Sequence, residues 1–147
     1  MTNHNCTRRP HGDRPARNVY GSRSPVLGSN GMVATSQPMA SIAALNVLQE
    51  GGNAVDAAIS AAAVLNVVEP MSTGIGGDMF ALLFMEKEGE VVGLNGSGWS
   101  GSGSTIDYFR DHNIQTISSD SIHSVSVPGA VDGWFTLHEK YGFLPMQ

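Results

Sequence analysis

The run Gly96-Ser97-Gly98-Trp99-Ser100-Gly101 is the first place where this sequence could do chemistry. It has the G-x-G-x-x-G spacing and follows a stretch, Glu90 to Asn95, that reads as a strand. In a dinucleotide site the last glycine opens a helix whose amides hold the pyrophosphate. Here Ser102, Gly103 and Ser104 follow, which favour turns over helix, and the bulky Trp99 sits inside the loop. A flexible loop that contacts a substrate fits these residues better than a nucleotide cradle. The histidines are His4, His11, His112, His123 and His138, and none pairs with another at helical ligand spacing. Cys6 is the single cysteine, so no internal disulfide forms and a metal site built from this chain alone is not expected. No G-x-S-x-G elbow presents a nucleophilic serine. Asp107 and Asp111 share a helix face and read as solvated acids. Taken alone, these residues give no self-sufficient catalytic set.

Charge divides the chain. Of eight Lys and Arg, five (Arg8, Arg9, Arg14, Arg17 and Arg23) precede residue 25, against one acid, Asp13. From residue 25 onward 3 basic residues face 12 acidic ones, a balance of -9, the opposite of what a nucleic-acid-binding body carries. No nucleic-acid partner is expected. The arginine-rich residues 1–22 read as a disordered basic leader with no apolar core behind the arginines, so they are not a secretory signal, and a cytoplasmic location is the expectation. The longest apolar run, Ala57 to Val68, is interrupted by Ser60 and Asn66 and is too short to span a bilayer, so no membrane association is expected.

Positioning falls to a mixed set of elements. Gly31 to Ser36 reads as a short strand. Pro38 suits the first turn of a helix, with Ser36 or Gln37 near the cap, Ile42, Leu45 and Leu48 on its buried side, and Gly51-Gly52 as its stop. Asn53 caps a second helix, with Asp56 in its first turn. That helix, Ala54 to Val68, is small and apolar on nearly every side and ends at Pro70. After the Gly74–Asp78 turn, Met79 to Met85 is apolar on both faces, as a central strand would be, and pairs in a hairpin with Glu90 to Asn95. Thr105 caps a short helix through Arg110, Ser124 to Val127 reads as a strand ending at Pro128, and a last helix carries Val131, Trp134 and Phe135 before Gly142. A helix and a strand that need cover on every side exceed what a chain of 147 residues can bury, so it reads as part of a larger fold.

Four segments are distinctive together: GMVATSQPMAS (31–41), LQEGGNAVDAAISAAAVLNVVEP (48–70), GIGGDMFALLF (74–84) and SVSVPGAVDGW (124–134). They closely resemble the N-terminal part of the γ-glutamyltransferase family (γ-glutamyltranspeptidase, glutathione hydrolase), in one register from roughly Arg23 to Met146. The resemblance implies an α+β fold, the N-terminal nucleophile hydrolase αββα sandwich, with residues 23–147 an incomplete N-terminal part of the large subunit. It implies a self-cleaving precursor whose small subunit begins with the nucleophilic threonine, that threonine's own amine acting as base. The threonine lies downstream, so no residue here is catalytic. The implied partners are a small-molecule amide substrate similar to glutathione and the protein's own C-terminal small subunit. No metal or organic cofactor is implied.

The resemblance also marks a departure. Aligned without gaps from Gly89, Asn95-Gly96-Ser97-Gly98 stand where the family reads roughly Asp or Asn, any residue, Arg, Glu. The arginine that holds the substrate α-carboxylate is replaced by Ser97, and the glutamate by Gly98. Ser97 and Gly98 are therefore the candidate substrate-binding residues, and a serine supplies neither charge nor a bidentate fork. The alternatives are a related acylase or amidohydrolase with a non-glutamyl substrate, or a non-catalytic truncated binding module.

Overall fold

The computed structural model describes residues 26–146, and the leader read at residues 1–22 lies outside them. Val26–Asn30 forms a short exposed stretch with a bend at its end, in a unit separate from the body that begins at Gly31.

Within the body the order is α1 (Pro38–Gln49), α2 (Ala54–Val68), β1 (Met79–Met85), β2 (Glu90–Gly96), α3 (Ile106–Asp111), a single 3-10 turn (Ile122–Ser124) and α4 (Ala130–Tyr141). Local signals place the helix ends. Pro38 occupies the first turn of α1 with Gln37 as its N-cap. At the other end Gly51 takes φ +95°, where a side chain would be strained. From there the Gly51 and Gly52 amides donate back to the Leu48 and Val47 carbonyls, a Schellman closure. One residue later Asn53 accepts from Val55 and Asp56, while Asp56 accepts from the Asn53 amide, a complete capping box.

Alanine, not leucine, makes the contact between α1 and α2. Ala40, Ala44, Ala57 and Ala61 form the buried cluster, with Val33, Val47, Leu48, Val64 and Leu65 packed around it. Ile42 and Leu45, expected on the buried side, are exposed. Small side chains let two backbones approach closely, so the alanine stripe takes the interface and larger residues are pushed to its edge.

The hairpin is antiparallel, with Met79 opposite Gly96 and Met85 opposite Glu90. It turns through Gly89 at φ +66°. Alternate β1 residues Met79, Ala81, Leu83 and Met85 are half-buried, while Phe80, Leu82 and Phe84 are exposed. α4 packs on both strands and on α2. Gly133, buried in α4, sits where a Cβ would come 2.6 Å from Met79 Cγ, so a side chain there would have to displace Met79 from between the helix and β1.

Two expected strands are absent. Residues 31–36 join no ladder of the described sheet; Thr35 donates instead to the Gln37 carbonyl and shares a hydrogen bond with Ser41, joining the segment to the start of α1. Ser124 lies in the 3-10 turn, and residues 125–127 make one backbone bond to the Trp99 carbonyl (Val127 N–H, 2.8 Å) rather than a ladder. A strand exists only through its neighbour, and the sheet in the described residues has two members.

Candidate functional site

Three loops meet at the end of the hairpin where β1 begins and β2 ends. Gly77-Asp78 enters β1, Gly96–Trp99 leaves β2, and Ser126–Ala130 leads into α4. Polar atoms tie them together. The Gly129 and Ala130 amides both donate to the Gly77 carbonyl, at 3.0 and 2.9 Å. Asp78 Oδ1 accepts from the Gly98 amide and from the Ser126 hydroxyl, each at 2.8 Å. The Ser97 amide donates to Asn95 Oδ1 at 2.9 Å. The Gly98 and Ser126 donors, with a smaller contribution from the Ser97 side chain, hold Asp78 below the ordinary carboxylate range against a small opposing desolvation.

Steric room decides the rest. A Cβ on Gly98 would overlap the Val127 carbonyl oxygen, and one on Gly129 would fall 2.5 Å from the Gly96 carbonyl oxygen and 2.8 Å from the Gly98 nitrogen. The glutamate that the family resemblance implies at position 98 does not fit this packing, and glycine does. No helix opens after the G-x-G-x-x-G run: residues 97–105 are loop and α3 starts only at Ile106. Trp99 projects outward and is 85% exposed, so it supplies no inner wall.

The loops bring Ser97 and Gly98 to an exposed surface beside Asp78. Arg110 does not join them. It is the one arginine among the described residues, it lies on α3, and it faces Asp107 at 3.7 Å in solvent. α3 packs against none of the other α-helices or strands. The acids at Asp107 and Asp111 are exposed, as expected. Among the described residues no group of three or more His, Cys, Asp or Glu is arranged to hold a metal, and no helix is long and apolar enough to cross a membrane.

Sequence reasoning passed over Asp78 and Ser126. A signal was there for Asp78, which is the lone charged residue between Glu69 and Glu86, at the mouth of an otherwise apolar strand. It also passed over a second polar centre. Asp56, 8% exposed, accepts from Asn53, Phe143 and Leu144 amides, and His138 Nε2 lies 3.7 Å from it while donating to the Leu144 carbonyl at 2.6 Å. Burial pushes that carboxyl up, but the three amides and His138 together outweigh it and hold it below its ordinary value.

A hairpin backed by helices, with glycine loops meeting at its end, is the arrangement of one portion of an N-terminal nucleophile hydrolase. The cephalosporin acylase of Bacillus halodurans superposes with a TM-score of 0.77 at 43% identity, over 92% of this chain and 25% of that one. The γ-glutamyltranspeptidase of Helicobacter pylori gives 0.73 at 33% identity, over 82% and 35%. The model of the gamma-glutamyltranspeptidase family matches residues 40–147, and the chain belongs to that family. Among curated proteins it is similar to the glutathione hydrolase-like YwrD proenzyme of Bacillus subtilis (strain 168), 40% identical over 122 residues. That match takes in 82% of this chain but spans only 23% of the relative's length.

Proposed function

We propose that this chain is the N-terminal part of the large subunit of a γ-glutamyltransferase-like amidase, and that Ser97 and Gly98 border its acyl-donor pocket. The junction at Asp78, Gly98 and Ser126 supports this reading, because a carboxylate from one distinctive family segment, bonded also to a hydroxyl from another, holds the loop after β2 at the end of the hairpin. In the complete protein an N-terminal threonine, freed downstream by self-cleavage, would attack the amide carbonyl carbon while its own α-amine takes the hydroxyl proton. The C–N bond breaks, the leaving amine takes that proton, and the acyl group passes to water or to the amine of an acceptor. The residues described here would shape and charge the pocket and form no bond to substrate. The partners proposed are a small amide substrate, glutathione-like or related, and the protein's own small subunit.

A second reading, an acylase or amidohydrolase acting on non-glutamyl amides, is favoured by one observation: Ser97 stands where a carboxylate-binding arginine is implied, and Arg110 is held on α3 beside Asp107. Both readings are tested on the processed protein with a γ-glutamyl anilide and its des-carboxy analogue, the 4-aminobutyryl anilide. Charge-assisted hydrogen bonds contribute roughly 1.5–3 kcal/mol each. The wild type should therefore handle the γ-glutamyl compound poorly, by about 10- to 1,000-fold in kcat/KM relative to an arginine-bearing site. Ser97→Arg should recover part of that. A wild type that strongly prefers the γ-glutamyl anilide, and loses the preference on Arg110→Ala but not on changes at Ser97, overturns the assignment of Ser97.

A further inference from the structure

We propose that Asp78 is a specificity-determining carboxylate of this site: by engaging the Gly98 amide and the Ser126 hydroxyl, and by setting a negative charge beside Ser97, it directs the site to acyl donors that are neutral or cationic at the end away from the scissile amide. The inference rests on the reading that the Ser97 loop borders the acyl-donor pocket.

Three observations support it. First, the loop amide beside Ser97 is already taken. Backbone N–H groups exposed in a glycine loop hold carboxylates and phosphates, but here the Gly98 amide is directed at Asp78 Oδ1 at 2.8 Å. The Ser126 hydroxyl, which could donate to the same anion, is directed at that oxygen too. Second, the charge is not cancelled. Among the described residues the ion pairs are Arg110 with Asp107 and His138 with Asp56, and Asp78 has none. The other cations there are Lys87, in the turn at the far end of the hairpin, and Lys140, which lies over the Tyr141 ring. Third, the carboxylate is exposed on the same surface as Ser97, so its field reaches a ligand there. An acyl donor bearing a carboxylate at this end meets a like charge, with the Ser97 and Gly98 amides already engaged. One bearing an ammonium meets an opposite charge.

The test compares three anilides on the processed protein: 4-aminobutyryl (cationic), γ-glutamyl (zwitterionic) and glutaryl (anionic). The expected order of kcat/KM is 4-aminobutyryl first and glutaryl last. Asp78→Asn keeps an oxygen acceptor for Gly98 and Ser126 but removes the charge. It should narrow the 4-aminobutyryl to glutaryl ratio by about 5- to 20-fold, the scale of unit charges a few ångströms apart in a water-exposed setting. Structural damage alone would slow both donors together and leave that ratio unmoved. Raising the salt concentration on the wild type should narrow the same ratio without any mutation, because exposed charges are screened. A wild type that prefers the glutaryl anilide, or a ratio indifferent to both Asp78→Asn and salt, overturns the role of Asp78 while leaving the amidase reading standing. A processed protein that cleaves none of the three overturns the amidase reading and this inference with it.

Discussion

Replacing Asp56 with alanine removes the acceptor on which the start of α2 and the segment after α4 converge. The carboxylate takes amides from Asn53 at 2.8 Å, Phe143 at 3.0 Å and Leu144 at 3.3 Å. Hydrogen bonds to a charged group contribute roughly 1.5–3 kcal/mol each. The Phe143 side is open enough for water to replace part of that, so the expected loss is about 2–4 kcal/mol, including the broken capping box. A stability of about 5–15 kcal/mol is usual for a domain, so this is a large share of it. The amides of Phe143 and Leu144 report the loss directly. Their hydrogen-exchange protection in the processed protein should fall by about 30- to 700-fold, at 1.4 kcal/mol per factor of ten. Asp56→Asn, which keeps one oxygen but turns an NH₂ toward the amides, should fall between wild type and alanine.

The same carboxylate predicts a pH dependence. Its folded pKa is lowered, so its contribution is complete above the unfolded value of about 4 and is lost as pH falls through the folded one. Protection at Phe143 and Leu144 should therefore decline below about pH 4 in the wild type and change less in Asp56→Asn. A change of under about twofold on Asp56→Ala at neutral pH would refute the reasoning, since it would place the residue among ordinary surface acids.

Two further outcomes follow from packing. Gly98→Ala should cost about 1–3 kcal/mol, as forced overpacking does, because its methyl meets a backbone carbonyl that cannot rotate away; Gly103→Ala, with nothing within 4 Å of the added Cβ, should stay within about 0.5 kcal/mol of wild type. Paired thermal melts of the processed variants check both. The 147-residue chain expressed alone should aggregate and cleave no anilide, since Phe80, Leu82 and Phe84 are 68%, 82% and 67% exposed on one strand. A cooperative, aggregation-free melt of that chain would count against this.

What was legible in the sequence was whatever is encoded within a few residues. Pro38, the Gly51-Gly52 pair and the Asn53 and Asp56 spacing each fix a helix end through their own backbone or side chain, and each acts as read. Burial was less legible. The periodicity of Ile42, Leu45 and Leu48 marks an apolar face, but which members lie inside depends on how near the neighbouring helix can come, and the alanines decide that. The strands expected at 31–36 and 124–127 failed for the same reason: extended, β-branched residues make a strand only when a partner presents a ladder. In the site, Ser97 and Gly98 were singled out through family resemblance; Asp78 stands out in the sequence only as an isolated charge, and nothing local ties it to them, because its partners lie 20 and 48 residues away.

The family's distinctive segments acquire a physical reason from this junction. GIGGD contributes a carbonyl and a carboxylate, the loop after β2 contributes an amide, and SVPGA contributes a hydroxyl and the first amides of α4. Where three backbones come within hydrogen-bonding distance at one place, side chains have no room, which is why glycine stands at 98 and 129. A junction built from backbone is stiff: it can hold a loop in one position while its outward residues vary. Ser97 is such an outward residue, and Asp78 is the one junction member that also carries charge. On the proposed reading, changing Ser97, or exchanging Asp78 for an uncharged acceptor such as Asn, alters what the loop attracts while an acceptor for Gly98 and Ser126 is kept.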